Sequence, residues 1–270
     1  MSLAVCATPI GNLDDVTLRV LTELREADVV LCEDTRRTRI LLARHGIESR
    51  LVSYYRHNEA SRTVEVLARL RRGERVALVS DAGLPGVNDP GARLIRAAAA
   101  EGLGVTVLPG ASAVETALVV SGLMGDRYQF VGYLPRRAGE LRVLARELGR
   151  WRGAVVAFES PRRLPASLAV LAEEVPERPA AVCRELTKRF EEVVRGTLDE
   201  LAEHYEKPPR GEVTIVLGPP DAAPFEADHP AAALEAVAEL VACGVSRRRA
   251  VDVVARLTGL SRNTLYRSSL

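Results

Sequence analysis

The sequence is poor in several features, and each shortage argues against a class of protein. Its four cysteines are scattered and form no C-x-x-C pair, which argues against a zinc site or a disulfide framework and favours a reducing cytoplasm. No charge-free stretch approaches the roughly 20 residues that cross a bilayer, and we expect no signal peptide because the first residues lack a basic region. The net charge is only +1, so binding to nucleic acid would depend on local patches.

Lysine is nearly absent, because only Lys188 and Lys207 are lysine among the 37 basic residues. The excess of arginine, together with many alanines, is typical of a GC-rich coding sequence and does not by itself indicate phosphate binding. The sequence has no G-x-x-x-x-G-K-[ST] loop, which excludes ordinary P-loop nucleotide hydrolysis. With 47% hydrophobic residues in 270, the chain does have the material for one large or two modest cores.

Short apolar runs alternate with longer helical patterns in the first half of the chain. The predicted strands are residues 3–7, 28–32, 50–53, 76–80 and 105–108, and the predicted helices are residues 15–25, 36–44, 60–71 and 92–100. This alternation predicts an α/β domain with a mainly parallel sheet covered by helices. Ligands of such sheets lie beyond the carboxyl ends of the strands, and the loops at those ends are therefore the candidate site.

The second half predicts a different sheet. Its strand patterns are residues 128–134, 153–158, 180–184, 191–196 and 212–217. Segments 180–186 and 190–196 are close enough in sequence to form a hairpin, so this sheet is predicted to be mixed. We expect an N-terminal α/β domain over residues 1–115 and a C-terminal α/β domain over residues 116–219, with a linker by composition at 218–224.

A separate helical tail is predicted over residues 226–270, with helices at 246–257 and 261–268 joined by a turn at 258–260. Ser246 and Ser261 are the expected N-caps. Residues 246–270 contain six arginines and one aspartate, a local charge of +5. The pattern resembles a helix-turn-helix, and we interpret it as an auxiliary RNA-contacting element. The alternative is a small helical cap that packs on the body of the protein.

Three glycine-bearing loops follow predicted strands of the first sheet, at residues 8–12, 80–91 and 109–113. Glycine allows a ligand to approach the backbone closely, so together the loops predict a cleft for a flat, largely uncharged ligand. After the first loop, a helix that opens with Asp14 and Asp15 would oppose a phosphate. Taken alone, that first loop is equally compatible with a tight turn that binds nothing.

Six motifs resemble the tetrapyrrole-methylase superfamily of S-adenosylmethionine (SAM) enzymes. They are residues 8–13 (TPIGNL), 33–36 (EDTR), 80–91 (SDAGLPGVNDPG), 109–113 (PGASA), 158–163 (FESPRR) and 184–188 (RELTK). More narrowly, they are similar to the bacterial branch that methylates the ribose 2'-oxygen of cytidine 1402 in 16S rRNA. The sequence departs from that branch at Leu84, where Thr is common, and at Asn88, where Ser is common.

The resemblance implies a two-domain fold that binds SAM between its domains, a homodimer, and 16S rRNA as the substrate. The sequence leaves open whether that rRNA is free or, as we favour, within the 30S subunit. By similarity, SAM would contact parts of the three loops and one residue of the second domain. These residues are Pro9, Gly11, Asp81, Gly83, Leu84, Ser112, Ala113 and Glu212. The sequence offers no cluster of metal-ligating residues, so we assign no metal site, and metal dependence stays open.

Methyl transfer to a ribose hydroxyl benefits from a group that orients or deprotonates the acceptor. Glu33 and Glu159 are candidates, but we favour Lys188, with Glu185 and Asp34 nearby. A partly buried lysine can have a lowered pKa, whereas arginine cannot deprotonate. The alternatives are that Lys188 is a residual surface lysine, and that the carboxylates are paired with arginines to hold loops.

Several arginines are candidates for contact with RNA phosphates. They are Arg36, Arg37, Arg162, Arg163, Arg184, Arg247 and Arg248. Tyr54 and Tyr55 with His57 and Asn58 could stack on and hydrogen-bond an unpaired base, although a core role for one tyrosine is the alternative. Two rival functions stay open at this point: methylation of a corrin, a porphyrin or a protein side chain on the same fold, and DNA-binding regulation through the tail.

Overall fold

The computed structural model describes residues 2–220, 230–258 and 262–269, and the chain divides into two units, residues 1–220 and 221–270. The first unit holds two five-stranded sheets, and the second is helical. No helix within the described ranges is long and apolar enough to span a membrane.

The first sheet is entirely parallel, in the order β3-β2-β4-β1-β5. Its strands are β1 Ser2–Cys6, β2 Val29–Cys32, β3 Leu51–Ser53, β4 Val76–Val79 and β5 Gly104–Leu108. The connecting helices are α1 Leu18–Glu26, α2 Thr35–Arg44, α3 Glu59–Arg71 and α4 Ala92–Ala100. Every residue of β2 and β4 is buried, as expected for central strands covered by helices on both faces. The predicted parallel α/β sheet is confirmed.

The second sheet is mixed, in the order β6-β7-β10-β8-β9. Its strands are β6 Tyr128–Tyr133, β7 Ala154–Glu159, β8 Pro179–Arg184, β9 Glu192–Thr197 and β10 Val213–Leu217. The helices of this half are α5 Ala113–Ser121, α6 Ala138–Arg150, α7 Leu164–Glu174 and α8 Leu198–His204. Only β6 and β7 run parallel, and β8 and β9 form the predicted antiparallel hairpin. The buried face of α5 packs on this second sheet.

The helix after β1 begins later than the sequence predicts. Thr17 caps α1 by accepting a hydrogen bond from the Val20 amide (3.2 Å), so the helix opens at Leu18 and contains neither aspartate. The carboxylate of Asp14 instead accepts two hydrogen bonds from Arg44, at 3.0 and 2.8 Å. The prediction of an acidic helix start beside the first loop is therefore wrong.

The second unit contains three helices in its described residues, α9 Pro230–Ala242, α10 Arg247–Thr258 and α11 Arg262–Ser268. The two predicted tail helices correspond to α10 and α11, and α9 is additional. Val237, Val251, Val254 and Leu265 lie in its small apolar core. Residues 259–261, which include most of the predicted turn and the predicted Ser261 cap, lie outside the described residues.

One buried arginine joins the ends of several elements of the second sheet, and nothing in the sequence pattern identified it. Arg178 is 5% exposed and donates hydrogen bonds to the carbonyls of Gly218 (2.9 Å), Gly153 (3.0 Å), Trp151 (3.3 Å) and Leu148. No carboxylate pairs with it in the described part of the chain, and burial lowers its pKa to about 10. Hydrogen bonds to these carbonyl oxygens offset the free-energy cost of burying the guanidinium.

We expect Arg178→Leu to lower the free energy of unfolding by about 3 kcal/mol, because four buried carbonyl oxygens would each lose a hydrogen bond from the guanidinium. Urea unfolding of the full chain, followed by circular dichroism, measures the change. The matched control is Arg142→Leu, which removes an exposed ion pair with Glu173 and should cost less than about 1 kcal/mol. Equal effects of the two substitutions would contradict the structural role of Arg178.

Candidate functional site

The three glycine-bearing loops meet at the carboxyl edge of the first sheet. Thr8 and Gly83 pair through reciprocal backbone hydrogen bonds of 2.9 and 3.0 Å, which joins the loop after β1 to the loop after β4. A Cβ on Gly83, whose φ is +77°, would lie 3.7 Å from the carbonyl oxygen of Ala111. The loop after β5 therefore packs against the other two, as β5 pairs directly with β1.

A cleft of about 920 Å³ opens between these loops and the second sheet. Six of the residues predicted to contact a ligand line it: Asp81, Gly83, Leu84, Ser112, Ala113 and Glu212. The wall from the second sheet includes the aromatic rings of Phe130, Tyr133 and Phe158. The ring centroids of Phe130 and Phe158 are 4.9 Å apart in an edge-to-face arrangement, a geometry that fixes an apolar surface.

The cleft is acidic, contrary to the expectation of a largely uncharged ligand. Carboxylates outnumber cations among its described lining residues. The one basic residue among those described there is Arg37, and the acidic residues are Glu33, Asp81, Asp89, Glu115, Glu159 and Glu212. Burial, reinforced by Glu33 and Asp81, raises the pKa of Asp89 to about 7. Burial and the neighbouring Asp81 also raise the pKa of Glu33. Such a lining favours a ligand that carries positive charge.

Asp81 connects the loop after β4 to the start of α2. Its Oδ1 accepts the Asp34 amide at 3.1 Å, and its Oδ2 is 3.2 Å from Nη1 of Arg37. The Asp34 side chain caps α2 by accepting the Arg36 amide (2.8 Å) and also binds the Arg36 guanidinium. These hydrogen bonds lower the pKa of Asp34 to about 2, and Asp34 does not line the cleft.

The chain itself makes the close approach to Gly11. A Cβ on Gly11 would lie 2.5 Å from Thr187 Oγ1 and 2.6 Å from Lys188 Cγ, so the turn between β8 and β9 packs directly on this glycine. Pro9 and Gly11 line a separate cavity of about 160 Å³, together with Arg37 and Lys188. The protein's own turn therefore accounts for the absence of a side chain at Gly11, and contact between SAM and Gly11 stays a prediction.

Lys188 lies in the β8–β9 turn, as predicted, and contacts two carboxylates. Its Nζ is 2.9 Å from Glu185 Oε1 and 3.0 Å from Glu212 Oε2. Although burial opposes it, hydrogen bonding to these carboxylates raises the pKa of Lys188, and the Lys188 contact lowers the pKa of Glu185. The expectation of a lowered lysine pKa is therefore wrong, because two anions stabilise the protonated form.

Two of the predicted RNA-binding arginines make hydrogen bonds and ion pairs within the protein. Arg163 is paired with the buried Glu159 and donates to the Leu134 carbonyl at 3.1 Å. Arg184 bonds Glu192 at 3.0 Å and the Arg210 carbonyl at 3.0 Å. Glu159 itself is engaged by the Ser160 amide and the Ser167 hydroxyl, each at 2.5 Å, so its oxygens already have donors.

Other basic residues are open to solvent. Arg36 and Arg162 are exposed, and Arg37 is half exposed at the cleft. In the second unit Arg248 is exposed, whereas Arg247 donates a hydrogen bond to the Ser269 carbonyl.

The two adjacent tyrosines differ in their surroundings. Tyr54 is 1% exposed, and its hydroxyl bonds Thr63 (3.0 Å). Tyr55 is exposed and packs edge-on against His57. The core alternative therefore holds for Tyr54.

Sequence reasoning missed Asp89, although it noted the loop that contains it. The Asp89 carboxylate lines the cleft and has no hydrogen-bond or ion-pair partner among the described residues. Neighbouring Asn88 has a φ of +62°, and its amide group would lie 3.1 Å from a Cβ on Gly132 of β6. The long loop thus reaches the second sheet, a contact between distant segments that sequence spacing does not reveal.

Comparison with known proteins gives concordant matches. Residues 2–202 match the family of tetrapyrrole (corrin/porphyrin) methylases. The chain is 43% identical over its full length to the ribosomal RNA small subunit methyltransferase I of Mesorhizobium japonicum (91% of that protein), and 44% identical over 98% of its length to that of Micromonospora olivasterospora (85% of that protein). The uroporphyrin-III C-methyltransferase from Thermus thermophilus, solved with S-adenosyl homocysteine, superimposes with a TM-score of 0.57 at 21% identity, covering 81% of this chain and 97% of that one.

Proposed function

Because this chain belongs to the tetrapyrrole (corrin/porphyrin) methylase family, we propose that it is a SAM-dependent rRNA methyltransferase that methylates the ribose 2'-oxygen of cytidine 1402 in 16S rRNA. The full-length relatives are named for methylation of small-subunit ribosomal RNA, which favours RNA over a tetrapyrrole as the acceptor. We further propose that it acts as a homodimer on the 30S subunit.

The acidic, aromatic-walled cleft is the observation that carries the proposal. SAM combines a flat adenine with a sulfonium and an ammonium group, so its reacting end is cationic. Asp81, Glu33 and Asp89 supply compensating negative charge, and Phe130 with Phe158 offers an apolar wall for the ring. These residues therefore fit SAM, and Ser112 with Ala113 at the start of α5 would border it.

When bound, SAM supplies an electrophilic methyl group for in-line displacement by the acceptor oxygen. The residues of this chain then have two tasks: to orient the ribose hydroxyl and to accept its proton. We propose that Asp89 accepts this proton, because its carboxylate lines the cleft and has no hydrogen-bond or ion-pair partner within the described residues. Glu33 is the neighbouring carboxylate that could substitute for it. Asp34 and Glu185 are poor proton acceptors because their pKa values are lowered.

We assign to Lys188 the orienting role. Its ammonium holds Glu185 and Glu212 together, and it shares the small cavity with Arg37. A protonated lysine at this place can attract a phosphate or hold the acceptor strand, whereas a general base must lose its proton first.

A methyl-transfer assay tests the proposed function. The protein is incubated with labelled SAM and, in parallel, with assembled 30S subunits, naked rRNA, a tetrapyrrole or duplex DNA. We expect label in 16S rRNA, and the modified nucleotide should resist alkaline hydrolysis because that cleavage requires a free 2'-hydroxyl. Label in the tetrapyrrole, or an alkali-labile product, would contradict the proposal.

The helical second unit is proposed to contribute electrostatically to RNA binding. Substituting both Arg248 and Arg249 by alanine should weaken RNA binding and reduce the slope of log affinity against log salt by about 1.4, since each single-strand phosphate contact contributes about 0.7. SAM affinity should not change. The matched control replaces Arg142 and Arg146, exposed arginines already paired with Glu173 and Glu174. An unchanged salt slope in the Arg248/Arg249 variant would contradict the proposal that this unit contacts RNA phosphates.

A further inference from the structure

The β8–β9 turn has a conformation that its residues would not adopt without support. Glu185 and Thr187 have φ values of +52° and +64°, a left-handed region that costs non-glycine residues free energy. The Thr187 amide donates to Glu191 Oε2 at 2.6 Å, and the Glu185 amide donates to the Glu212 carbonyl at 3.0 Å. Such a turn persists because the surrounding structure holds it.

The turn is also fixed to the rim of the cleft. Thr187 Oγ1 accepts the Asn12 amide at 2.9 Å, and the absence of a side chain at Gly11 allows this contact. Lys188 joins the turn to Glu212, a residue of the cleft wall. The next two residues along the turn follow directly on Lys188, and neither is among the described residues that line the cleft.

Those two residues are Arg189 and Phe190, which neither the mechanism nor the core uses. Phe190 is 65% exposed, whereas Phe130 and Phe158 lie in the cleft wall. The Arg189 guanidinium lies 5.6 Å from the centroid of the Phe190 ring, within the range of a cation–π contact. A turn anchored by several hydrogen bonds thus presents an aromatic ring and a planar cation to solvent, directly after the lysine that contacts the cleft wall.

We propose that Arg189 and Phe190 form a stacking platform for an unpaired base of the substrate RNA, next to the nucleotide that is methylated. This inference rests on the proposed RNA substrate. Unstacked bases stack on aromatic rings and on guanidinium groups. A base within a duplex is already stacked on its neighbours, so its face is not accessible. Because the turn is anchored, little conformational freedom is lost on binding. The platform would thereby hold the acceptor strand in register with the cleft.

The test is RNA binding by full-length variants, measured with a single-stranded oligoribonucleotide of the 16S sequence around the acceptor that carries 2-aminopurine beside it. Phe190→Ala and Phe190→Leu should each weaken binding on the order of 10-fold and relieve the quenching of 2-aminopurine. Phe190→Trp should retain both properties. Arg189→Lys should weaken binding severalfold because it keeps the charge but loses the planar fork. SAM affinity, measured by calorimetry, should be unchanged in all four.

The control is Leu18→Ala, since Leu18 on α1 is 82% exposed and should not affect RNA binding. Wild-type affinity in Phe190→Leu, an equal loss in Leu18→Ala, or an altered oligomeric state in Phe190→Ala would overturn the platform. The last result would mean that Phe190 contacts a second copy of the chain. If the wild type binds the oligonucleotide in a Phe190-dependent manner but transfers no methyl group to rRNA, the platform stands and the proposed function fails.

Discussion

Replacing Asp89 with asparagine should lower the rate of methyl transfer to RNA by about 10²–10⁴-fold at saturating SAM, because the amide cannot accept the hydroxyl proton. A carboxylate accepts a proton only when ionised, and the pKa of Asp89 is about 7. The wild-type rate at limiting SAM should therefore rise from pH 6 to pH 8 and then level off. Single-turnover transfer of labelled methyl across this pH range measures both effects, and the variant should lose the rise.

Two matched variants distinguish Asp89 from its rivals. Lys188→Arg keeps the charge and should retain most activity, while Glu33→Gln should cost less than Asp89→Asn. If Lys188→Arg is as inactive as Asp89→Asn, and the pH rise disappears in it, the lysine is the base after all.

A stability measurement separates a catalytic loss from misfolding. The pKa of Asp89 is higher in the folded protein than the ordinary aspartate value of 3.8, so the folded state loses stability as pH rises between these values. The asparagine variant avoids that loss and should unfold at or above the wild-type temperature at pH 8. A lower unfolding temperature would mean that its inactivity has a structural cause.

Replacing Asp81 with alanine should weaken SAM binding by about 100-fold without unfolding the protein. The substitution removes a carboxylate from the cleft and breaks two contacts, with the Asp34 amide and with Arg37. A charge-assisted hydrogen bond to a ligand contributes about 1.5–3 kcal/mol, and the loss of cleft geometry adds to that effect. Calorimetry with SAM measures the affinity, and circular dichroism verifies the fold.

Arg37→Ala is the matched control for Asp81. If the carboxylate acts only by holding Arg37, both variants should lose SAM affinity equally. If the Asp81 carboxylate instead interacts directly with the positively charged end of SAM, Arg37→Ala should bind SAM at least as well as the wild type. The reason is that removing Arg37 makes the cleft more negative. An unchanged affinity in Asp81→Ala would exclude the long loop from the cofactor site.

Local pattern was sufficient for the elements of both sheets. Buried parallel strands appear as apolar runs, and the two sides of a hairpin are close in sequence, so the parallel sheet and the β8–β9 pair were predictable. The start of α1 was not, because Asp14, which resembles part of an acidic first turn, is paired with Arg44 of another helix. A capping prediction uses neighbours in sequence, whereas an ion pair across 30 residues depends on the fold.

The sequence by itself determined the family, the three converging glycine loops and the position of Lys188 in a hairpin turn. The tertiary structure alone decided the electrostatics of these groups. Lys188 is held protonated because Glu185 and Glu212 converge on it. Burial, reinforced by Glu33 and Asp81, raises the pKa of Asp89 to about 7, and Gly11 faces a turn of its own chain. Residue type sets what a side chain can do, but charge state depends on distance and burial, and segments far apart in sequence supply both.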